Sequence, residues 1–205
     1  MPRTAQANEK IRNQKRKLIL RKSLNLFAAN GYGAVSIDDI AKSCGISHGL
    51  LYHYFKTKED VLKSLIDIMH EKLNALSRSV DEVDPKLSLT NLLDSIITAI
   101  KEKSEPNMAA LLYIFLNTHI NNEIDKKRNI IFDLNETSRE KFPYQIHRLI
   151  VKGQEAGCFK EGDPIEYSYA ICSMILGLSY VAMKDHNRSN VFPSAEIIMG
   201  IVNKE

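Results

Sequence analysis

The chain has 205 residues, 44% hydrophobic and 26% charged, which is ordinary for a folded globular protein and excludes an extended disordered chain. The length allows one large domain, or a small domain joined to a larger one. Residues 1–60 hold 11 Lys/Arg against 5 Asp/Glu while the remainder holds 17 against 20, so a basic end sits on an acidic body. Such an end points at a polyanion, although a solvated basic tail gives the same count.

The chain reads as helix throughout, because period-two runs of β-branched residues and Asn-Gly or Asp-Gly hairpin signals are absent. A first helix is predicted over residues 9 to about 30, with Ile11, Leu18, Ile19, Leu26 and Phe27 at helical spacing and Gly31 as its stop. The second follows Ser36, which forms a capping box with Asp39; Ile37, Ile40, Ala41 and Cys44 make its inner face, and Gly45 turns the chain. Ser47 caps a short third helix, residues 48 to about 55. Thr57 with Asp60 caps a long fourth, residues 58 to about 80.

Proline marks the remaining starts. Asp84-Pro85 opens the fifth helix, striped by Leu89, Leu92, Leu93, Ile96 and Ile100, and Pro106 opens the sixth. The seventh is expected over residues 122 to about 156, kinked or broken near Pro143 and closed by Gly157. Asp163-Pro164-Ile165-Glu166 starts the eighth, to about residue 184, and Pro193 starts the ninth, ending near residue 203. The most apolar stretch, residues 170–183, is shorter than the roughly 20 residues a bilayer requires and is interrupted by Ser173, Gly177 and Ser179, so it reads as a buried helix.

Two short helices joined at Gly45 are the material of a helix-turn-helix. Phe27, Gly31 and Tyr32, then Ser36, Ile40-Ala41 and Gly45-Ile46-Ser47, then Leu51-Tyr52-His53-Tyr54-Phe55, Lys58-Glu59 and Leu62 follow one another at family spacing without gaps. Over residues 19–62 the sequence thus resembles the N-terminal domain of the TetR family of transcription regulators. It departs from the family at Lys22-Ser23, where small alanines are common. Beyond this segment the resemblance rests on helix count and short signals such as Gly153-Gln154-Glu155-Ala156-Gly157 and Leu176-Gly177-Leu178.

The resemblance implies an all-α fold of about nine helices. Residues 1–60 would form a three-helix DNA-binding domain, with the helix-turn-helix proper at about 36–55. Residues 61–205 would bind an effector and pair two copies into an Ω-shaped homodimer. It further implies a palindromic double-stranded operator, a small hydrophobic or amphipathic effector, repression as the output, no cofactor, and a place in the bacterial cytoplasm at the nucleoid.

The residues support this independently. Ile46, Leu51 and Phe55 fall on the side of the third helix that can pack on Ile40 and Phe27, leaving His48, Gly49, Tyr52, His53 and Lys56 outside. A helix in the major groove needs such a slender polar face. His48 and His53 can donate to purine acceptors, Gly49 permits close approach, and Leu50 can touch a thymine methyl or pack inward. The resemblance assigns phosphate contacts to Ser36, Ser47, Tyr52 and Lys58, groups that fix register without reading sequence. Capping alone would also explain Ser36 and Ser47. Tyr54 is either a DNA contact or core. Lys15, Arg16, Lys17, Arg21 and Lys22 form a solvated face, part of which can lie along phosphates.

In the C-terminal part, the eighth and ninth helices are apolar nearly all round and must be covered. The resemblance implies a four-helix dimer interface there, with Met174, Gly177, Leu178, Val181, Ile197, Ile198 and Ile201 as candidates; an internal core is the alternative. Candidate effector-pocket residues are Met69, Leu73, Met108, Leu112, Tyr113, Phe115, Leu116, His119, Tyr169 and Met174, most of which plain packing would also explain. Tyr113, His119 and Tyr169 would orient a greasy ligand.

No metal site is expected: His119 and Glu123 lack a third ligand. Cys44, Cys158 and Cys172 have neither disulfide nor zinc spacing and fit a reduced compartment. The start, Met1-Pro2-Arg3-Thr4, lacks the apolar core of a secretion signal. No Gly-rich phosphate loop, Gly-x-Ser-x-Gly elbow or His-Glu-x-x-His motif is present, so the chain is not expected to be an enzyme. A membrane-surface role is disfavoured because the basic face coincides with the helix-turn-helix. The alternative function is a DNA-binding factor of the chromosome-organising type with no small-molecule effector.

Overall fold

The computed structural model describes residues 5–77, 84–102, 107–120, 142–184 and 192–204, and divides into two compact units, Met1–Ile68 and Met69–Glu205. All regular elements among the described residues are helices, apart from one isolated bridge.

The first unit contains α1 (Ala5–Asn30), α2 (Ile37–Cys44), α3 (His48–Tyr54) and the start of α4 (Lys58–Ser77). Each boundary is a capping event. The Ser36–Asp39 box is reciprocal: the Asp39 N–H donates to Ser36 Oγ at 3.1 Å, and the Ser36 N–H donates to Asp39 Oδ2 at 2.9 Å. Thr57 and Asp60 repeat the exchange at the start of α4, at 3.1 and 3.0 Å. Gly45 adopts φ 63°, the left-handed backbone that ends α2 and turns the chain into α3. Ile19, Leu24, Phe27, Ile40, Leu51, Phe55, Leu62 and Leu65 form the buried core. Ser23 is fully buried among them, and its hydroxyl has no hydrogen-bond partner among the described residues.

The second unit holds α5 (Pro85–Lys101), α6 (Met108–Ile120), α7 (Phe142–Glu155), α8 (Pro164–Lys184) and α9 (Ala195–Met199). α8 packs on α6 and α7, and α5 packs on all four of the others. Leu89, Leu92, Leu93 and Ile96 of α5 meet a core that includes Ile146, Leu149 and Ile150 of α7 and Ile171 and Ile175 of α8. Gly153 explains part of the short signal in α7: a Cβ there would lie 1.9 Å from the Phe159 ring, so only glycine admits that ring. The Gln154 amide then clamps the following loop, donating to the Lys160 and Gly162 carbonyls at 3.0 Å each.

Several expectations change. α6 begins at Met108 and is capped by Asn107, whose Oδ1 accepts the Ala110 N–H at 3.1 Å; Pro106 lies outside the described residues. The described part of the seventh helix, α7, begins at Phe142 with Pro143 as its second residue and ends at Glu155, beside the expected stop at Gly157. The rest of the expected long helix, residues 122–141, is outside the described residues. The ninth helix stops at Met199, well before residue 203. Backbone pairing captures the end instead, with Phe159 bridged to Asn203 and the Lys160 N–H donating to the Val202 carbonyl at 2.7 Å.

α8 is longer than the apolar run suggests. At 21 residues with a mean hydropathy of 1.3, it meets the length and composition for crossing a membrane. It nevertheless gives one face to the unit's core, where Ser168 and Ser179 return their hydroxyls to carbonyls four residues earlier at 2.6 and 2.8 Å. Its opposite face is open.

Candidate nucleic-acid interface and effector core

α3 is seven residues long and splits cleanly by face. Ser47 Oγ accepts the Leu50 N–H at 3.2 Å at its start, and the Phe55 N–H closes on the Leu51 carbonyl at its end. Leu51 and Phe55 are buried and Ile46 is half-buried. His48, Gly49, Leu50, Tyr52, His53 and Lys56 are exposed, Tyr52 to 42% and Leu50 to 39%, as are the cap residues Ser36 and Ser47. Tyr54 is half-buried with its ring edge-on to His53 at 5.5 Å, so it serves neither the core nor the open face alone.

Two arrangements escaped sequence reasoning. His48 Nε2 contacts the carboxylate of Asp38, in the first turn of α2, and its ring stands edge-on to Tyr52 at 4.6 Å. Asp38 is legible in sequence only as a helix-start acid. Lys58 is drawn inward: its Nζ donates to the Tyr32 carbonyl at 3.0 Å and lies 4.2 Å from the Tyr32 ring centre. The Tyr32 hydroxyl donates to Glu59 at 2.9 Å, and its ring meets Phe27 edge-on at 5.2 Å. Tyr32 thus ties the start of α4 to the end of α1. Arg16 has a packing duty too, with its guanidinium 5.1 Å from the Phe55 ring centre and donating to Ser64 Oγ at 3.0 Å.

These contacts shift titrations. Hydrogen bonds from the Ser36 side chain and then its backbone hold the Asp39 carboxyl below its ordinary value. Glu59 is held low by its own backbone N–H and then by the Tyr32 hydroxyl. Burial raises the Cys44 thiol and pushes that of Cys172 up to about 12, so neither is an activated nucleophile.

In the second unit, Met69 and Leu73 of α4 and Met108, Leu112 and Phe115 of α6 are buried. Tyr113 does not join them. It is half-buried, 5.4 Å from the Tyr180 ring, with the Lys184 ammonium 5.5 Å from its centre. Tyr169 and Met174 are exposed on α8, to 37% and 40%, so the single chain does not enclose them. Leu116 and His119 belong to α6, but their side chains lie outside the described residues, as does Glu123. Sequence reasoning passed over His70, half-buried on α4 with its ring 5.8 Å from that of Phe115, and Asn74 one turn later, also half-buried. Their signal is a polar pair at i, i+4 in an otherwise apolar stripe. Among the described residues, no three His, Cys, Asp or Glu could hold a metal.

Of the candidate interface residues, Met174, Gly177, Val181 and Ile197 are exposed, the last to 69%, while Leu178 and Ile201 are half-buried. Ile198 is a correction: it is 1% exposed, because one step along a helix from the outward Ile197 turns it into its own unit's core.

Residues 19–65 match the family described as bacterial regulatory proteins, tetR family. Over 59 residues, 29% of this chain, the sequence is 44% identical to an uncharacterised helix-turn-helix-type transcriptional regulator, YuxN of Bacillus subtilis (strain 168), and that stretch is 20% of YuxN. It is 31% identical over 84 residues to the regulator UidR of Escherichia coli (strain K12), covering 41% of this chain and 42% of UidR. The chain therefore aligns with less than half the length of each of these transcriptional regulators. Among solved structures, that of AibR in complex with isovaleryl coenzyme A and operator DNA superposes with a TM-score of 0.67 at 18% identity, covering 91% of this chain and 95% of AibR. The match to the tetR family thus covers the helix-turn-helix segment, residues 19–65, and the likeness to AibR shows a shared fold.

Proposed function

We propose that the chain is a transcription regulator that binds a palindromic operator as a homodimer, represses, and is released by a small hydrophobic or amphipathic effector. The carrying observation is the open face of α3. Imidazoles, a phenol and a bare glycine stand exposed over a fully apolar buried face, the division a groove-reading helix requires. Ser36, Ser47, Tyr52 and Lys58 would hold phosphates, while His48, Gly49, Leu50, His53 and the rim of Tyr54 would meet base edges. Lys58 must exchange its Tyr32 carbonyl for a phosphate oxygen, so its grip is weaker than that of a free lysine.

The open apolar face of α8 with Ile197 supports a two-fold pair, and a two-fold pair suits a palindrome with half-sites about 34–36 Å apart. The domain division we favour gives residues 1–60 to DNA and 61–205 to effector and partner, in the bacterial cytoplasm at the nucleoid. The buried core around Met69, Leu73, Met108, Leu112 and Phe115, with His70 and Asn74 at its polar edge, is where the effector would enter. AibR, solved with an acyl-coenzyme A and operator DNA together, makes an amphipathic effector a reasonable class. An effector acts by preferring a state in which the two recognition helices are wrongly spaced.

Selection from random duplexes with the purified protein tests this. Enrichment of one palindrome, competed away by a small molecule, is expected. Binding to all duplexes alike, insensitive to any ligand, would instead identify a chromosome-organising factor.

A further inference from the structure

We propose that Asp38 is a positioning residue for base readout, holding His48 by Nε2 so that Nδ1 is the ring nitrogen presented to DNA. The inference rests on the operator-binding reading above and deepens it.

His48 is the first residue of α3 and half-exposed, with a side chain 50% accessible, and Asp38 projects to it from the first turn of the neighbouring α2. An imidazole on a helix surface ordinarily turns about two bonds and exchanges two tautomers, so it is a poor reader. Here two contacts remove that freedom. The carboxylate of Asp38 only accepts, so it takes the Nε2 hydrogen. The Tyr52 ring, edge-on at 4.6 Å, packs against the imidazole and disfavours rotation away from Asp38. A neutral imidazole whose hydrogen is on Nε2 has a lone pair on Nδ1. In its neutral form His48 then accepts a hydrogen bond at Nδ1 and does not donate one there. In the major groove the matching partners are the amino groups at adenine N6 and cytosine N4, not the purine N7 and O6 acceptors that histidine type alone suggests.

The cost is a carboxylate held near a polyanion, which opposes binding to every sequence alike. That separates the two effects of Asp38. Asp38→Asn removes the charge but keeps a carbonyl oxygen to accept from Nε2; Asp38→Ala removes both. At pH 8, both variants should gain the same few-fold sequence-independent affinity. Only Asp38→Ala should lose about tenfold of discrimination at one base pair per half-site, the scale of one lost base contact, and His48→Ala should lose preference at that same pair. Nitrogen-15 spectra of the free protein give an independent reading. The Nε2-protonated tautomer of His48 is expected in the wild type and in Asp38→Asn, and a mixture in Asp38→Ala.

Unchanged base preference in Asp38→Ala, loss in Asp38→Asn as well, or mixed tautomers in the wild type would each overturn the proposal while leaving the regulator reading intact. A wild type that selects no sequence would overturn both.

Discussion

α3 and α8 both leave one face uncovered within their own units, yet the two faces have opposite chemistry. α3 turns out His48, Tyr52 and His53; α8 turns out Tyr169, Met174, Gly177, Tyr180 and Val181. Polar groups that can donate and accept lose little by staying in water and gain specificity from a polar partner. Apolar side chains in water forgo about 25 cal/mol for every Å² that a partner could cover. The first face therefore suits a nucleic-acid groove and the second suits protein, and a helix's uncovered side says more about its partner than its buried side does.

The sharpest way to break this contrast is Gly177→Arg. A side chain there meets nothing within 4 Å in the single chain, and arginine favours a helix over glycine by about 0.8 kcal/mol. The isolated subunit should be as stable as before or slightly more so. If two α8 faces meet, the guanidinium is buried without a partner at a cost of several kcal/mol, so dimer dissociation should rise by roughly a hundredfold or more. Sedimentation should then show monomers that melt normally. An intact dimer would mean that the apolar face of α8 is not where the copies join.

On the other side of the contrast, Tyr52→Ala should leave the dimer whole and weaken binding to every duplex by about fivefold, the worth of one phosphate hydrogen bond. Tyr52→Phe separates the hydroxyl from the ring that steadies His48. It should lose the same general affinity but keep base preference, read by competition against duplexes of different sequence. His53→Ala should change preference at a single base pair without the uniform loss. A Tyr52→Ala variant that altered preference at many positions would mean that its ring, and not its hydroxyl, dominates.

Local chemistry was legible in the sequence, and long-range chemistry was not. The Ser36–Asp39 and Thr57–Asp60 exchanges, the Asp84-Pro85 and Asp163-Pro164 starts and the inward Leu51 and Phe55 all follow from neighbours within four residues. The end of α9 did not, because the backbone of residues 202–204 is claimed by residues 158–160, some forty positions earlier. Asp38 and Tyr32 were missed for the same reason. Their partners, ten and 26 residues on, are set by how helices pack and not by spacing along one helix. In the second unit, apolar positions are identifiable in the sequence but not their direction: Ile198, a candidate for the outward face, is buried, Tyr169, a candidate for the pocket, is exposed, and Met174, a candidate for both pocket and interface, is exposed.

Lys58→Ala probes one of those long-range contacts. It removes a charge-assisted hydrogen bond and a cation–π contact to Tyr32, together worth about 1–2 kcal/mol at a half-buried site. Thermal melting should fall accordingly. The salt dependence of DNA binding should flatten by less than the full step expected of one free lysine on a phosphate, since the ammonium must first leave its carbonyl. A full step with unchanged stability would place Lys58 outside the tie seen here and entirely on the DNA side of the contrast.

The smallest expected effect is an acid weakening confined to the first unit. Among the described residues, the carboxyls shifted below their ordinary values are Asp39 and Glu59, and both lie there. Each binds its proton less readily folded than unfolded, so its contribution is complete above the ordinary carboxylate range. It is lost as pH falls through the lower folded value. Both groups face solvent, which screens the gain. Amide exchange followed from pH 6 down to about 3 should therefore show α2 and the start of α4 losing protection modestly ahead of α5 and α8. Equal loss in both units would mean that the Ser36 and Tyr32 hydrogen bonds contribute nothing net, and that the first unit's helix starts rest on packing alone.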